Sequence, residues 1–562
     1  MNGRKFFPVL VMAAALLAYR NSLTGPFIFD DVLSISENPT IQQLSPIWRV
    51  LSPPHAGAIT VEGRPLINLS LAINYALGGS NVWGYHALNL TVHILAGLTL
   101  LGIVRRTLLQ PRLRERFGAA ANELALAAAV LWTVHPLQTE SVTYVIQRAE
   151  SITGLLYLLT LYCFMRGTDS RRSRPWFGLC VAACALGMTS KEVMVSAPVM
   201  VLLYDRTFVS GSFREAWRRR RTLYLGLAAT WIALGFVLAS GQLPATLGTA
   251  QRLGLTGWEY FLTELGVMLH YLRLSVWPHP LCFDYYGWPV ARAWTSILPP
   301  ALVLVILLGA SAWAWKTNSA WGFLSAWFFL ILAPSSSVIP LDSPVYEHRL
   351  YLPLAAVIVP AVLGIYVLVG RRSMAVFVLL AIGLGFLTWR RNQDYRSELA
   401  IWRDTTAKAP NNPRAHNYLG IALSNADRVQ EAIEQYEQAL RLKPDYAEAQ
   451  YNLGNALLAS GRTQEAASHW QQAVNIDPNY TDARNNLGAA LAQAGRFPEA
   501  IAQFDSVLRI TPQDAEVHYN LAVALEQAGR IEEAIGHYEQ ALRLKPDYPG
   551  ARYRLTRLRP GR

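Results

Sequence analysis

Residues 447–480 read AEAQYNLGNALLASGRTQEAASHWQQAVNIDPNY, and residues 481–514 follow the same pattern as TDARNNLGAALAQAGRFPEAIAQFDSVLRITPQD. Pro410, Pro444, Pro478, Pro512 and Pro546 lie 34 residues apart, and so do Gly461, Gly495 and Gly529. Ala432, Ala466, Ala500 and Ala534 keep the same step. Leu419-Gly420, Leu453-Gly454, Leu487-Gly488 and Leu521-Ala522 supply a small residue where two paired helices must approach closely. Self-similarity at a fixed period of this length specifies a solenoid in which each unit is one helix pair stacked on the next.

Thirty-four residues is the tetratricopeptide period. The repeats fall at 413–446, 447–480, 481–514 and 515–548, with 549–562 as a cap and tail. Residues 390–412 read as a linker or partial repeat. Asn452, Asn486 and Asn520 share one register on the first helix of each pair, and Tyr418 takes that place in the first repeat. This helix lines the concave groove of such an array. An amide offers one acceptor and two donors, so a ladder of them suits the backbone of an extended acceptor peptide. The alternative is that each Asn bonds its neighbouring repeat.

Working outward, residues 1–410 hold 34 Lys and Arg against 20 Asp and Glu, and residues 411–562 hold 16 against 18. The net charge of +12 therefore divides into +14 and −2. The basic excess belongs to an apolar region, where it reads as loop charge that sets orientation and not as a nucleic-acid patch. Apolar runs lie near 6–23, 86–104, 120–134, 151–165, 175–189, 192–205, 222–240, 299–315, 320–334, 350–369 and 374–389. A helix of about 20 apolar residues crosses a bilayer, so the fold class is all-α: a polytopic helix bundle over 1–389 with about eleven spans, then the solenoid. The basic start and apolar stretch of residues 1–23 read as an uncleaved first span. Segment 258–277, WEYFLTELGVMLHYLRLSVW, carries Glu259, Glu264, His270 and Arg273. It reads as an interfacial amphipathic helix; counting it as a twelfth span reverses everything after it. Arginines at 105–116, 166–174 and 206–221 follow even-numbered spans and place those loops in the cytoplasm. Three of the four cysteines sit inside apolar runs, and no metal-ligand spacing appears.

The polar motifs cluster in the connections assigned to the outer face. FIFDD places Asp30 and Asp31 just past the first span, where adjacent carboxylates are costly unless they bind or react. One of them can act as a general base. Arg64 follows in EGRPL. His86, Asn89 and His93 share one helix face, a pattern for interhelical hydrogen bonds. HPLQTESVTYVIQRAE, residues 135–150, carries His135, Glu140, Arg148 and Glu150; TSKEV carries Lys191 and Glu192. FDYYGWP carries Asp284, and YEHRLYLP carries Glu347, His348 and Arg349. Arg and Lys at a membrane surface suit a phosphate.

YRNSLTGPFIFDD, GRPL, WGYHALNLTVH, HPLQTESVTYVIQRAE, TSKEV with a downstream Pro and Asp205, and YEHRLYLP occur in this order before the repeats. Together they resemble the transmembrane-and-tetratricopeptide-repeat O-mannosyltransferases and bacterial relatives of them, within the GT-C class. The resemblance implies a polyprenyl-phosphate sugar donor, Asp30 or Asp31 as base, and a phosphate contact at Arg349, with Arg64, Arg148 and Lys191 as further candidates. It implies transfer with inversion to protein Ser or Thr, and neither a metal nor another cofactor. The Arg- and Ala-rich composition and short loops suit a bacterial inner membrane, with the repeats on the periplasmic side. Two other readings fit less of the chain: a non-catalytic scaffold for envelope assembly, and a lipid- or glycan-modifying transferase.

Overall fold

The computed structural model describes residues 6–53, 60–239, 255–317, 320–336, 340 and 343–559. The predicted span ending at 240 and the tail at 560–562 run past the described residues. Helices follow one another throughout, and no strand occurs among the described residues. Two compact units divide after Asp404.

In the first unit the helices are α1 (Phe7–Tyr19), α2 (Ile47–Leu51), α3 (Pro65–Gly78), α4 (Val82–Leu108), α5 (Pro111–Phe117), α6 (Ala121–Thr133), α7 (Thr139–Thr143) and α8 (Arg148–Asp169). They continue with α9 (Ser173–Met188), α10 (Ala197–Tyr204), α11 (Phe213–Ala239), α12 (Gly257–Val276), α13 (Trp294–Lys316), α14 (Ala320–Leu332), α15 (Ala355–Val369) and α16 (Ser373–Asn392). Then comes α17 (Glu398–Lys408). Among the described residues, four helical stretches are long and apolar enough to cross a membrane: Val82–Leu108, Glu192–Ser210, Trp294–Lys316 and Ala355–Arg396. The pair Pro111–Thr133 and Pro136–Thr143, bent by 53°, makes a fifth if read as one broken span. This is fewer than the eleven apolar runs of the sequence. Several runs fold as shorter helices, such as α1 and α14, and others are diluted by Tyr, Thr and Arg.

Segment 258–277 forms α12, started by a capping box between Thr256 and Glu259. Its buried stripe runs Tyr260, Thr263, Glu264, Val267, Met268, Tyr271, Leu274 and Ser275, the i, i+3, i+4 spacing of a helix with one packed face. Trp258 and Trp277 are exposed at its two ends.

The stretch expected to be a linker, 390–412, begins inside the first unit. Tyr395 and Trp402 are buried; their rings meet Phe283, and Trp402 also meets Phe29. Asn392 donates to the Ala18 carbonyl and accepts from Thr143. Packing therefore carries the first unit past the last apolar run to Asp404.

The second unit stacks α18 (Pro413–Ser424), α19 (Val429–Leu442), α20 (Ala447–Ala459), α21 (Thr463–Ile476), α22 (Thr481–Gln493), α23 (Phe497–Ile510), α24 (Ala515–Gln527), α25 (Ile531–Leu544) and α26 (Pro549–Leu558). The small-residue site has a steric cause. A Cβ on Gly420 would stand 2.5 Å from the Tyr436 ring, one on Gly454 2.5 Å from Trp470, and one on Gly488 2.8 Å from Phe504. Gly461, Gly495 and Gly529 turn the second, third and fourth pairs at φ of +81°, +76° and +78°, a conformation that favours glycine, and Asp427 takes it at +57° in the first.

Candidate functional site

The site begins with a turn. Phe29 has φ +48°, a left-handed conformation rare for a bulky residue. It is held by edge-to-face rings from Phe283 and Trp402. This turn sends the two following carboxylates in different directions. Asp31 is fully buried, and its oxygens accept from the backbone N–H groups of Ile28 (3.2 Å) and Ile146 (2.7 Å). Burial pushes its carboxyl up to about 8, against the lowering effect of those two bonds. Asp30 is half-buried. Its N–H donates to the Tyr144 hydroxyl at 2.9 Å, and its carboxylate accepts from Thr60 at 3.2 Å. The paired aspartates are thus one structural anchor and one accessible carboxylate.

Thr60 leads to the cations, because its carbonyl accepts from Arg64 at 2.9 Å. Arg64, Lys191 and Arg349 come from three distant segments, and all three bear electrostatically on both His348 and Glu192. His348 is the hub. Its Nδ1 lies 2.7 Å from Glu140 and its Nε2 3.7 Å from Glu150, and its N–H donates to Glu140 at 2.9 Å. Burial, followed by the charge of Lys191, holds its imidazole well below the usual histidine range. Lys191 Nζ donates to Glu150. Glu347 accepts from the Cys282 N–H and the Tyr285 hydroxyl, each at 2.6 Å. Burial raises its carboxyl to about 7, opposed mainly by Arg391. Arg349 donates to the Pro344 and Ser343 carbonyls, lies over the Tyr346 ring, and stands 4.0 Å from Glu264 on α12.

Other predicted residues have structural duties instead. Arg148 is fully buried and donates to Asn74, the Tyr85 carbonyl and, at 3.4 Å, the Ser70 carbonyl. It braces α8 against α3 and α4. His135 caps a turn by accepting from the Leu137 N–H. Asp284 accepts from Tyr286 within its own turn. His86, Asn89 and His93 bond Gly25, Val142 and Val145, and Thr133 and Tyr351 respectively.

Sequence reasoning missed Tyr144, which contacts Asp30 from inside a quoted motif, and Arg391. The latter follows the last apolar run beside Arg390, where both run against the orientation expected of eleven spans. In the fold it is buried, pairs with Asp394 at 2.9 Å and Asp404 at 2.6 Å, and faces Glu347. Its single signal is the pair of acids that follows it.

In the solenoid each ladder amide donates to the preceding repeat: Asn452 to Asn417 (3.0 Å), Asn486 to Asn455 (3.0 Å) and Asn520 to Asn485 (3.1 Å). Asn452, Asn486, Asn520 and Tyr418 are all half-buried.

Residues 63–239 match the family model for dolichyl-phosphate-mannose-protein mannosyltransferase. Residues 427–461, 451–515 and 485–549 match tetratricopeptide-repeat models. A protein O-mannosyl-transferase of Caenorhabditis elegans is 24% identical over 78% of this chain and 63% of its own length. The Homo sapiens protein O-mannosyl-transferase TMTC1 is 25% identical over 78% of this chain and 55% of its own. Tmtc2 of Drosophila melanogaster is 29% identical over 50% and 31%. The chain thus spans less than two-thirds of the length of these relatives. With the motif order and the repeats, the matches identify the chain as a relative of the transmembrane-and-tetratricopeptide-repeat protein O-mannosyl-transferases.

Proposed function

We propose that this chain is a membrane glycosyltransferase that moves a mannose-like sugar from a polyprenyl phosphate to Ser or Thr hydroxyls of a protein acceptor. One observation carries the reading: cations from residues 64, 191 and 349 act on the same two residues, and Arg64 is joined to the accessible Asp30 through Thr60. Asp30 takes the proton from the acceptor Oγ. That oxygen forms the new bond to the sugar's anomeric carbon while the bond to the lipid phosphate breaks. The phosphate leaves with the electron pair, held by Arg64, Lys191 and Arg349. A single displacement of this kind inverts the anomeric centre and needs no carboxylate nucleophile. The name of the matching family, with its dolichyl-phosphate-mannose donor, supports the donor class.

The polar cluster brings together the C-terminal ends of α1, α6, α9 and α16 and the N-terminal ends of α4, α8, α10 and α15. That grouping supports eleven spans with α12 at the interface and the site on the outer face of a bacterial inner membrane. The odd count carries the repeats to the periplasmic side, where their asparagines hold an acceptor peptide through the amide groups not used between repeats. Glycoproteomics of cells carrying wild type or Asp30→Asn tests the assignment. Loss of a set of O-linked glycopeptides at normal protein level is expected; an unchanged set overturns it.

A further inference from the structure

A cleft of about 610 Å³ runs along α15 from Ala355 to Leu368 and reaches Arg112 and Arg116 of α5; its volume is within the range of about 300–1,000 Å³ typical of ligand sites. Its walls are nearly all apolar. Leu100, Val104 and Leu108 of α4 form one side at i, i+4 and i+8. Ala356, Pro360 and Gly364 of α15 face them at the same spacing. These small side chains create the opening: a Cβ on Gly364 would meet no heavy atom within 4 Å.

The mouth has the opposite character. On α5, Leu113 and Phe117 turn into the cleft while Arg112 and Arg116, also one helical turn apart, line its rim and are exposed. The Arg116 guanidinium lies over the Phe117 ring. The last turns of α4 and α5 add Arg105, Arg106 and Arg114, which under the eleven-span topology lie at the cytoplasmic surface.

From this juxtaposition we infer that the cleft seats an anionic phospholipid of the cytoplasmic leaflet, its acyl chain between α4 and α15 and its phosphate at Arg112 and Arg116. An apolar slot alone accepts any lipid tail. A rim of two arginines discriminates by charge, and basic pockets between helices on this face of a membrane are suited to acidic headgroups. The donor's phosphate belongs among Arg64, Lys191 and Arg349. This lipid is therefore a second ligand; its leaflet, but not its binding chemistry, rests on the proposed topology.

The test uses the full chain in nanodiscs of phosphatidylcholine with or without phosphatidylglycerol, then native mass spectrometry of lipids retained after mild detergent extraction. Phosphatidylglycerol is expected to be retained in preference to phosphatidylcholine. Each arginine near an anionic surface is worth roughly fivefold in partitioning, so Arg112→Gln/Arg116→Gln should weaken retention by about thirtyfold. Gly364→Leu should exclude both lipids by filling the slot and leaves every charge in place. Equal retention of the two lipids by wild type overturns the proposal. So does an unchanged preference in the arginine variant, or displacement of phosphatidylglycerol by added polyprenyl phosphate. Glycosyl transfer is not the readout, so failure here leaves the catalytic assignment to its own test.

Discussion

The two units of this protein handle charge in opposite ways. In the solenoid, Arg428–Glu431, Arg462–Glu465, Arg496–Glu499 and Arg530–Glu533 form the same exposed pair four times, three residues apart on one helix. Such pairs are screened by water and are worth little. In the membrane unit, buried ionisable groups join residues distant in sequence: Glu140 to His348, Glu150 to Lys191, Arg349 to Glu264. Removing one partner there strands the other in a dry environment. The solenoid is stable because each repeat packs its neighbour. The bundle commits its costly groups to one place, which is what a reaction site requires.

That contrast can be broken from either side. The largest effect is expected at Asp30. General-base catalysis contributes about 10²–10⁴-fold, so Asp30→Asn should lower kcat by that factor in a peptide-acceptor assay, with the melting temperature unchanged. Next is the hub. Glu140→Ala leaves the buried His348 ring and backbone N–H without their acceptor and should cost about 1–3 kcal/mol of stability, read as a fall in Tm and in folded yield. In the solenoid, Gly454→Ala drives a methyl against Trp470. The overpacking cost of about 1–3 kcal/mol exceeds the gain of about 1 kcal/mol in helix propensity, so circular-dichroism melting should show a net loss.

A pH series separates the two aspartates. The Asp31 carboxyl titrates near 8 in the fold and near ~3.9 in an unfolded chain. The folded state therefore holds the extra proton between these values, and this group's contribution to stability falls as pH rises from about 4 to about 8. Asp31→Asn should flatten that slope. The smallest effect is expected for Arg496→Ala/Glu499→Ala, which should leave Tm unchanged; a clear drop would mean the repeats depend on their exposed pairs after all.

What was legible in the chain follows the same division. The 34-residue period records local packing, so helix pairs could be set from Pro, Gly and Ala positions alone. The membrane unit is different. That Asp31 is an anchor and Asp30 accessible depends on a left-handed Phe29 and on the N–H of Ile146, 115 residues away. That Arg148 is a brace depends on Asn74 and Tyr85 meeting it across two helices. The burial of Arg391 is created by Tyr395 and the acids after it. Motifs identified the segments that carry chemistry; only tertiary packing sorts reactive groups from structural ones within each motif.

The central claim is that charges from these separated segments meet on one face of the membrane, and labelling tests it most directly. The four cysteines are buried, and Glu37, Pro289, Arg114 and Arg171 are exposed. Single cysteines at these positions can be probed in intact cells with a membrane-impermeant maleimide. Glu37→Cys and Pro289→Cys should both label from outside, and Arg114→Cys and Arg171→Cys only after permeabilisation. Labelling of Glu37→Cys and Pro289→Cys from opposite sides would contradict the account.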